Sequence, residues 1–220
     1  MIGAPLDIDR VPRSLVEEIL RFLLKYSLEV PMTVAIAGES GSGKSVLAHS
    51  VSSRAQDQGL RSIVLQQDDY FHYPPITNDR RRREDRSRVG LGEVDMGLME
   101  QHIAEIRRGV SHITKPVVNY PLDFIGQEVV PVLGLDILIV EGTYVSILPG
   151  THCSVFIDRT YLDTVEMRLR RGREVMDPFI ESILEIEHQI IVAHRARAHL
   201  LVTPDDRLVP GPAKVQGLAD

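Results

Sequence analysis

Apolar residues follow different rhythms along the chain, and the changes of rhythm mark out its elements. Leu15, Ile19, Phe22 and Leu23 fall on one face of a 3.6-residue period, and Ser14 and Glu17 have capping-box spacing, so a helix is predicted over 14–27. At 32–37 the period gives way to MTVAIA, an apolar β-branched run of strand length, and a helical stretch over 46–58 follows and stops at Gly59. SIVLQ at 62–66 reads as a second strand. The stretch 96–108, apolar at 96, 99, 103 and 106, reads as a helix ending before Gly109. Short β-rich segments at 113–118 and 128–132 surround NYPLD at 119–123 and suggest a hairpin lobe outside the main sheet. ILIVEG at 137–142 has the look of a strand covered on both faces; 155–157 is another, and Leu201-Val202 a last. Between them, 178–199 is long enough for a substantial helix. Residues 72–92 have no period and read as a mobile loop, while the prolines and glycines of 203–220 predict a loose tail.

Strands alternating with helices imply an α/β fold: a five-stranded, mostly parallel sheet with helices on both faces, plus the small β-hairpin lobe. A length of 220 residues with 43% hydrophobic content favours one domain over 1–220, its core spanning 32–202. The formal charge of −6 offers no general footprint for nucleic acid or an anionic membrane, so a small-molecule partner is expected rather than a polymer, and self-association stays open. No apolar stretch approaches the ~18 residues of a membrane span. The single cysteine, Cys153, lies in an apolar run and reads as a buried small hydrophobe, which suits a reducing cytoplasm.

Between the first strand and its helix stands GESGSGKS, residues Gly38, Glu39, Ser40, Gly41, Ser42, Gly43, Lys44 and Ser45, which meets every fixed position of the phosphate-loop pattern GxxxxGK(S/T). Glycines let the backbone turn its N–H groups toward a polyphosphate at a helix N-terminus. Lys44 would reach the terminal phosphates and Ser45 would offer a hydroxyl to magnesium, a hard cation that prefers oxygen ligands. Strand, glycine loop and helix together predict a P-loop NTPase fold. Asp68 follows the second strand and Glu141 ends an apolar one, the sheet edge where open α/β folds bind ligands. Lys44, Ser45, Asp68 and Glu141 thus supply a cation, metal ligands and a carboxylate for an attacking hydroxyl, the parts that phosphoryl transfer requires. The arginines at 168, 170, 171 and 173 are candidates to neutralise charge and exclude water over the nucleotide.

This ordered set resembles the uridine kinase and phosphoribulokinase family of P-loop small-molecule kinases. The resemblance runs from about 33 to 202, carried by GESGSGKS at 38–45, QDDYF at 67–71, Glu141-Gly142, FID at 156–158 and RRGR at 170–173. It implies ATP and Mg2+ as cofactors. It implies Asp68 as the catalytic base, Glu141 as a magnesium-side carboxylate, and Arg171 and Arg173 on a short lid, with Arg168 upstream. It extends the nucleotide-binding set from the phosphate loop to Val46, and it places Asp68, Tyr70, Asp95 and Tyr120 toward the acceptor. Where uridine kinases carry an FDHPDAF-like stretch, this chain reads GEVDM at 92–96, so the resemblance implies a kinase without selecting uridine.

Several residues carry alternative readings. Asp69 is favoured as a polar strand-end residue over a metal or substrate role, and Tyr120 is as suited to packing the hairpin as to stacking on substrate. The basic run at 80–83 reads as a solvated charged loop or, less favoured, as an arm contacting an anionic acceptor. His188, His194 and His199 fall on the long predicted helix with no acidic or cysteine cluster to suggest zinc. A nucleotide switch without acceptor is the rival class: DFIG at 123–126 fits the D-x-x-G of GTPases, yet no N-K-x-D motif accompanies it.

Overall fold

Residues 32–38 present no polar face, and the strand they form is buried at every position. The structure, a computed structural model, describes residues 7–25, 30–171 and 177–214. In chain order its elements are α1 (Arg13–Lys25), β1 (Met32–Gly38), α2 (Lys44–Asp57), β2 (Ser62–Gln66), α3 (Pro75–Glu84), α4 (Met96–Arg107), β3 (His112–Asn119), β4 (Phe124–Pro131), β5 (Ile137–Gly142), β6 (Cys153–Ile157), α5 (Val165–Arg171), α6 (Pro178–Ile191), β7 (Leu200–Val202) and β8 (Leu208–Pro210). The main sheet runs β2-β5-β1-β6-β7-β8, with the first five strands parallel and β8 antiparallel to β7. The expected five parallel strands are therefore present. β8 is an addition inside the predicted tail, where a turn closed by Thr203 and Arg207 reverses the chain.

Alternation along β1 serves two cores. Val34 and Ile36 point to one face, where α1 and α2 pack through Leu15, Ile19, Leu23, Leu47 and Val51. Ala35 and Ala37 point to the other, where Met99, Ile103 and Ile106 of α4 lie with Ile191 at the end of α6. Parallel pairing brings the C-terminal ends of β1, β2 and β5 to one edge, with Gln66 and Ile36 flanking Glu141 in register. β3 and β4 form the separate antiparallel hairpin.

Three local expectations change. The Ser14 and Glu17 capping box does not form: α1 opens after Pro12, and Glu17 bonds Arg13 and Arg54 at 3.0 Å each. Most of 72–92 is ordered, with α3 at 75–84. It shows no hydrophobic period because polar contacts hold it, Asn78 and Arg82 to Glu93 and Arg82 to Glu187. The last long helix ends at Ile191 and continues as a 3-10 turn over Val192–Arg197, so His188, His194 and His199 do not share one helix.

Candidate active site

The phosphate loop leaves β1 at Gly38 and enters α2 at Lys44. Gly41 (φ +77°) and Gly43 (φ +102°) adopt left-handed backbone, and a Cβ on Gly41 would come within 2.7 Å of Arg168 Cγ, so glycine is required there by conformation and by space. α2 is 14 residues long, and its first-turn N–H groups give the loop the positive end of a helix dipole. Lys44 Nζ donates to the Glu39 carbonyl at 2.9 Å. Ser45 Oγ donates to Glu141 Oε1 at 2.9 Å. Val46 stands in the first turn of α2, and its carbonyl accepts from Ser50.

Three residues that brace the loop's outer side, Arg159, Tyr161 and Thr164, were not singled out by sequence reasoning. The Glu39 carboxylate is buried, with Oε1 2.6 Å from His188 Nδ1 on α6 and Oε2 accepting from the Tyr161 backbone N–H at 2.6 Å. Glu39, expected at the cofactor, thus turns its side chain away from the loop's interior. Thr164 Oγ1 donates to the Ser40 carbonyl at 3.1 Å, and Arg159 donates to the Ser42 carbonyl at 3.3 Å. Arg168, expected on a lid over the nucleotide, is instead buried, with its guanidinium bonding the Tyr161 carbonyl and Thr164 Oγ1. Thr164 and Arg168 stand one helical turn apart, a spacing that could have marked them as partners, but nothing local to Glu39 points to His188. The Arg171 side chain and all of Arg173 lie outside the described residues.

Two carboxylates meet at the sheet edge. Glu141 is buried and also accepts from Gln66 Nε2 at 3.2 Å. Burial and then the nearby Asp68 charge push its carboxyl up to about 7, with Lys44 and the Ser45 hydroxyl opposing them. Asp68 follows β2 on a 3-10 turn (Gln67–Tyr70), half-buried, and its Oδ2 accepts from Tyr120 OH at 3.3 Å. Crowded carboxylates beside a serine hydroxyl form a hard-oxygen donor set that suits magnesium. Among the described residues no group of three His, Cys, Asp or Glu gathers to hold a metal, and magnesium needs only one or two carboxylates when phosphates and water complete its shell.

Other expected residues fall elsewhere. Tyr70 is a core residue: its ring is buried and its hydroxyl lies 2.9 Å from His102 Nδ1, so it does not face an acceptor. Asp95 caps α4, with Oδ1 accepting from Leu98 N–H at 2.9 Å. Asp69 anchors the hairpin, taking Lys115 Nζ at 2.8 Å and the Val118 N–H at 2.9 Å. Asp123 accepts from Ile76 N–H and Thr77 Oγ1 at the start of α3, so its turn is a helix cap. Cys153 is buried, and burial pushes its thiol up to about 12, far from a nucleophile's range.

Comparison with known proteins points to small-molecule kinases. A uridine kinase from Leuconostoc citreum is 25% identical over 186 residues, 78% of this chain and 87% of that protein. The chain is similar to uridine kinases and related P-loop small-molecule kinases over most of its length. No family model matches the sequence of this kinase. A bifunctional alpha-galactosidase/sucrose kinase from Mediterraneibacter gnavus is 30% identical over 188 residues, 79% of this chain, although the chain spans only 20% of that longer protein. The fold is that of a possible uridine kinase from Bacillus stearothermophilus (TM-score 0.61, 18% identity, 86% of this chain and 97% of that one). The nucleotide-switch alternative is not favoured by these relatives. No helix among the described residues is long and apolar enough to cross a membrane.

Proposed function

We propose that this P-loop kinase moves the γ-phosphoryl group of ATP to a hydroxyl of a small sugar, nucleoside or related metabolite, with Asp68 as general base. The observation that carries this reading is the convergence of Lys44, Ser45, Glu141 and Asp68 at one sheet edge, with Asp68 oriented by Tyr120. In this reading the whole chain acts as one kinase domain, and its buried single cysteine fits a cytoplasmic setting.

The phosphate-loop amides and Lys44 bind the polyphosphate and hold its charge. Ser45 and Glu141 would hold magnesium, which supplies charge neutralisation of the phosphates when bound. Asp68 accepts the proton of the acceptor hydroxyl as its oxygen bonds to the γ-phosphorus and the bond to the ADP oxygen breaks. Tyr120 keeps the Asp68 carboxylate aimed, which lowers the cost of reaching a reactive geometry. Arg171 and Arg173 keep the lid role that their motif implies. Uridine and sucrose are what two relatives are named for, and both names support a hydroxyl acceptor for this chain. A coupled assay of ADP release tests the reading: ATP use should rise at least tenfold on adding a small hydroxylated acceptor. ATP use indifferent to every acceptor would instead favour a switch protein.

A further inference from the structure

The 67–70 turn after β2 is tied to three different elements, and Asp68 is the member of the turn that is not buried. Gln67 Oε1 accepts from the Tyr144 N–H at 2.7 Å, just beyond β5, and a Cβ on Gly142 would collide with the Gln67 side chain, so a glycine fits the end of β5 against the turn. Tyr70 meets His102 of α4. Asp69 reaches the β3–β4 hairpin.

Asp68 and Asp69 grip that hairpin at points two residues apart. Asp69 Oδ1 accepts from the Val118 N–H at 2.9 Å, and Asp68 Oδ2 accepts from Tyr120 OH at 3.3 Å. Asp69 Oδ2 also takes Lys115 Nζ at 2.8 Å, and the same ammonium meets Glu128 Oε1 at 2.7 Å, on the residue directly opposite in the β3–β4 register. One buried lysine thus joins the turn that carries Asp68 to both strands of the hairpin. A two-stranded sheet is only marginally stable by itself, so its orientation depends on what holds it. A buried ion pair adds little stability over apolar packing, because desolvation offsets the attraction, but it does impose a geometry: the ammonium has to stay within hydrogen-bond reach of its carboxylates.

On the kinase reading above, we propose that Asp69 and Lys115 are positioning residues for phosphoryl transfer, holding the hairpin so that Tyr120 keeps Asp68 aimed. They act through Tyr120 rather than on the reacting atoms. Without the pair the 119–123 turn is free to shift relative to Asp68, and a misplacement of about 1 Å in a catalytic constellation can cost on the order of 100-fold in rate.

A double-mutant cycle tests this on the full chain, with ATP, Mg2+ and an acceptor that raises ATP use in the wild type. One arm is Tyr120→Phe, which removes only the hydroxyl. The other is Asp69→Asn with Lys115→Met, which removes both charges together and leaves neither buried charge alone. Each arm should lower kcat about tenfold, and the two combined should lose no more than about threefold beyond either, because both act on one contact. KM for ATP should stay within about twofold of the wild type throughout, which general loosening of the fold would not produce. Losses that multiply to about 100-fold, or a normal kcat in either arm, overturn the proposal and leave the kinase reading standing on the wild type's acceptor-dependent turnover. Thermal unfolding checks that each variant is folded. Should the paired variant not fold, Asp69→Asn alone, which keeps a carbonyl oxygen for the ammonium, enters the cycle and is judged by the same outcomes. If the wild type responds to no acceptor, the kinase reading falls and takes this proposal with it.

Discussion

Asp68 and Asp69 are neighbours of identical chemistry, yet the short 3-10 turn after β2 sends them to different environments. Asp69 is buried and bonded on both oxygens, so it fixes the hairpin; Asp68 stays half-buried and faces Tyr120 and Glu141. The reading of Asp69 as a polar strand-end residue agrees with its two bonded oxygens. Tyr70 was misread because it sits in the motif, but the turn rotates its ring into the core under α4. At this scale the expected outcome is that Asp68→Asn, nearly isosteric, lowers kcat by ~10²–10⁴-fold with ATP affinity little changed, since a positioned base acts on the chemical step. Single-turnover kinetics check it, and near-normal turnover would remove Asp68 from the role of base.

Elements meet here through polar contacts that no periodicity announces. α6 carries Glu187 toward Arg82 of α3 and His188 toward Glu39 of the phosphate loop, so adjacent residues on one helix brace both sides of the site. The Glu39 carbonyl in turn accepts from Lys44, which makes His188 a positioning residue for the lysine. Hydrogen bonds to a charged group contribute about 1.5–3 kcal/mol, so His188→Ala should raise KM for ATP by roughly tenfold or more while KM for the acceptor moves little. His188→Asn, whose amide nitrogen takes the place of Nδ1, should restore most of the loss. Equal changes in both Michaelis constants, or no rescue, would reduce His188 to a packing residue. α3 shows why such an element escapes a sequence reading. The partners of its Arg82 lie on the 91–93 turn and on α6, 11 and 105 residues away along the chain, and its own apolar content is too low to set a period.

The whole molecule is a sheet with an apolar layer on each face, and on the proposed kinase reading ligand binding at the edge that gathers Lys44, Ser45, Asp68 and Glu141 should stabilise the fold by mass action. A non-hydrolysable ATP analogue with Mg2+ at about 100 times its dissociation constant should add ~2.7 kcal/mol. For a chain of this size that is a rise in Tm of roughly 5–10 °C, read by differential scanning calorimetry. Lys44→Ala should lose most of the rise while its own Tm without ligand stays near the wild type, because Lys44 is only half-buried and bonds a backbone carbonyl. A full ligand shift in that variant would argue against the phosphate-loop assignment.

The strands, the phosphate loop and the order of acids along the chain were fixed by local chemistry. Runs such as MTVAIA and ILIVEG have no polar face to expose, and only glycine can supply the turn before Lys44, so composition within a few residues determined where they would lie. Tertiary structure decided which of the candidate residues reach the edge. Glu39, Arg168, Tyr70 and Asp95 share motifs with edge residues, but their partners turn them elsewhere: distant ones hold Glu39 at His188 of α6 and Tyr70 at His102, and local ones hold Arg168 at the 161–164 turn and Asp95 at the start of α4. It also decided the fate of the arginine run. In sequence a block of like charge reads as solvated or ligand-seeking, whereas here Glu93 and Glu187, brought in by the turn at 91–93 and by α6, take Arg82 of that block as the support of α3.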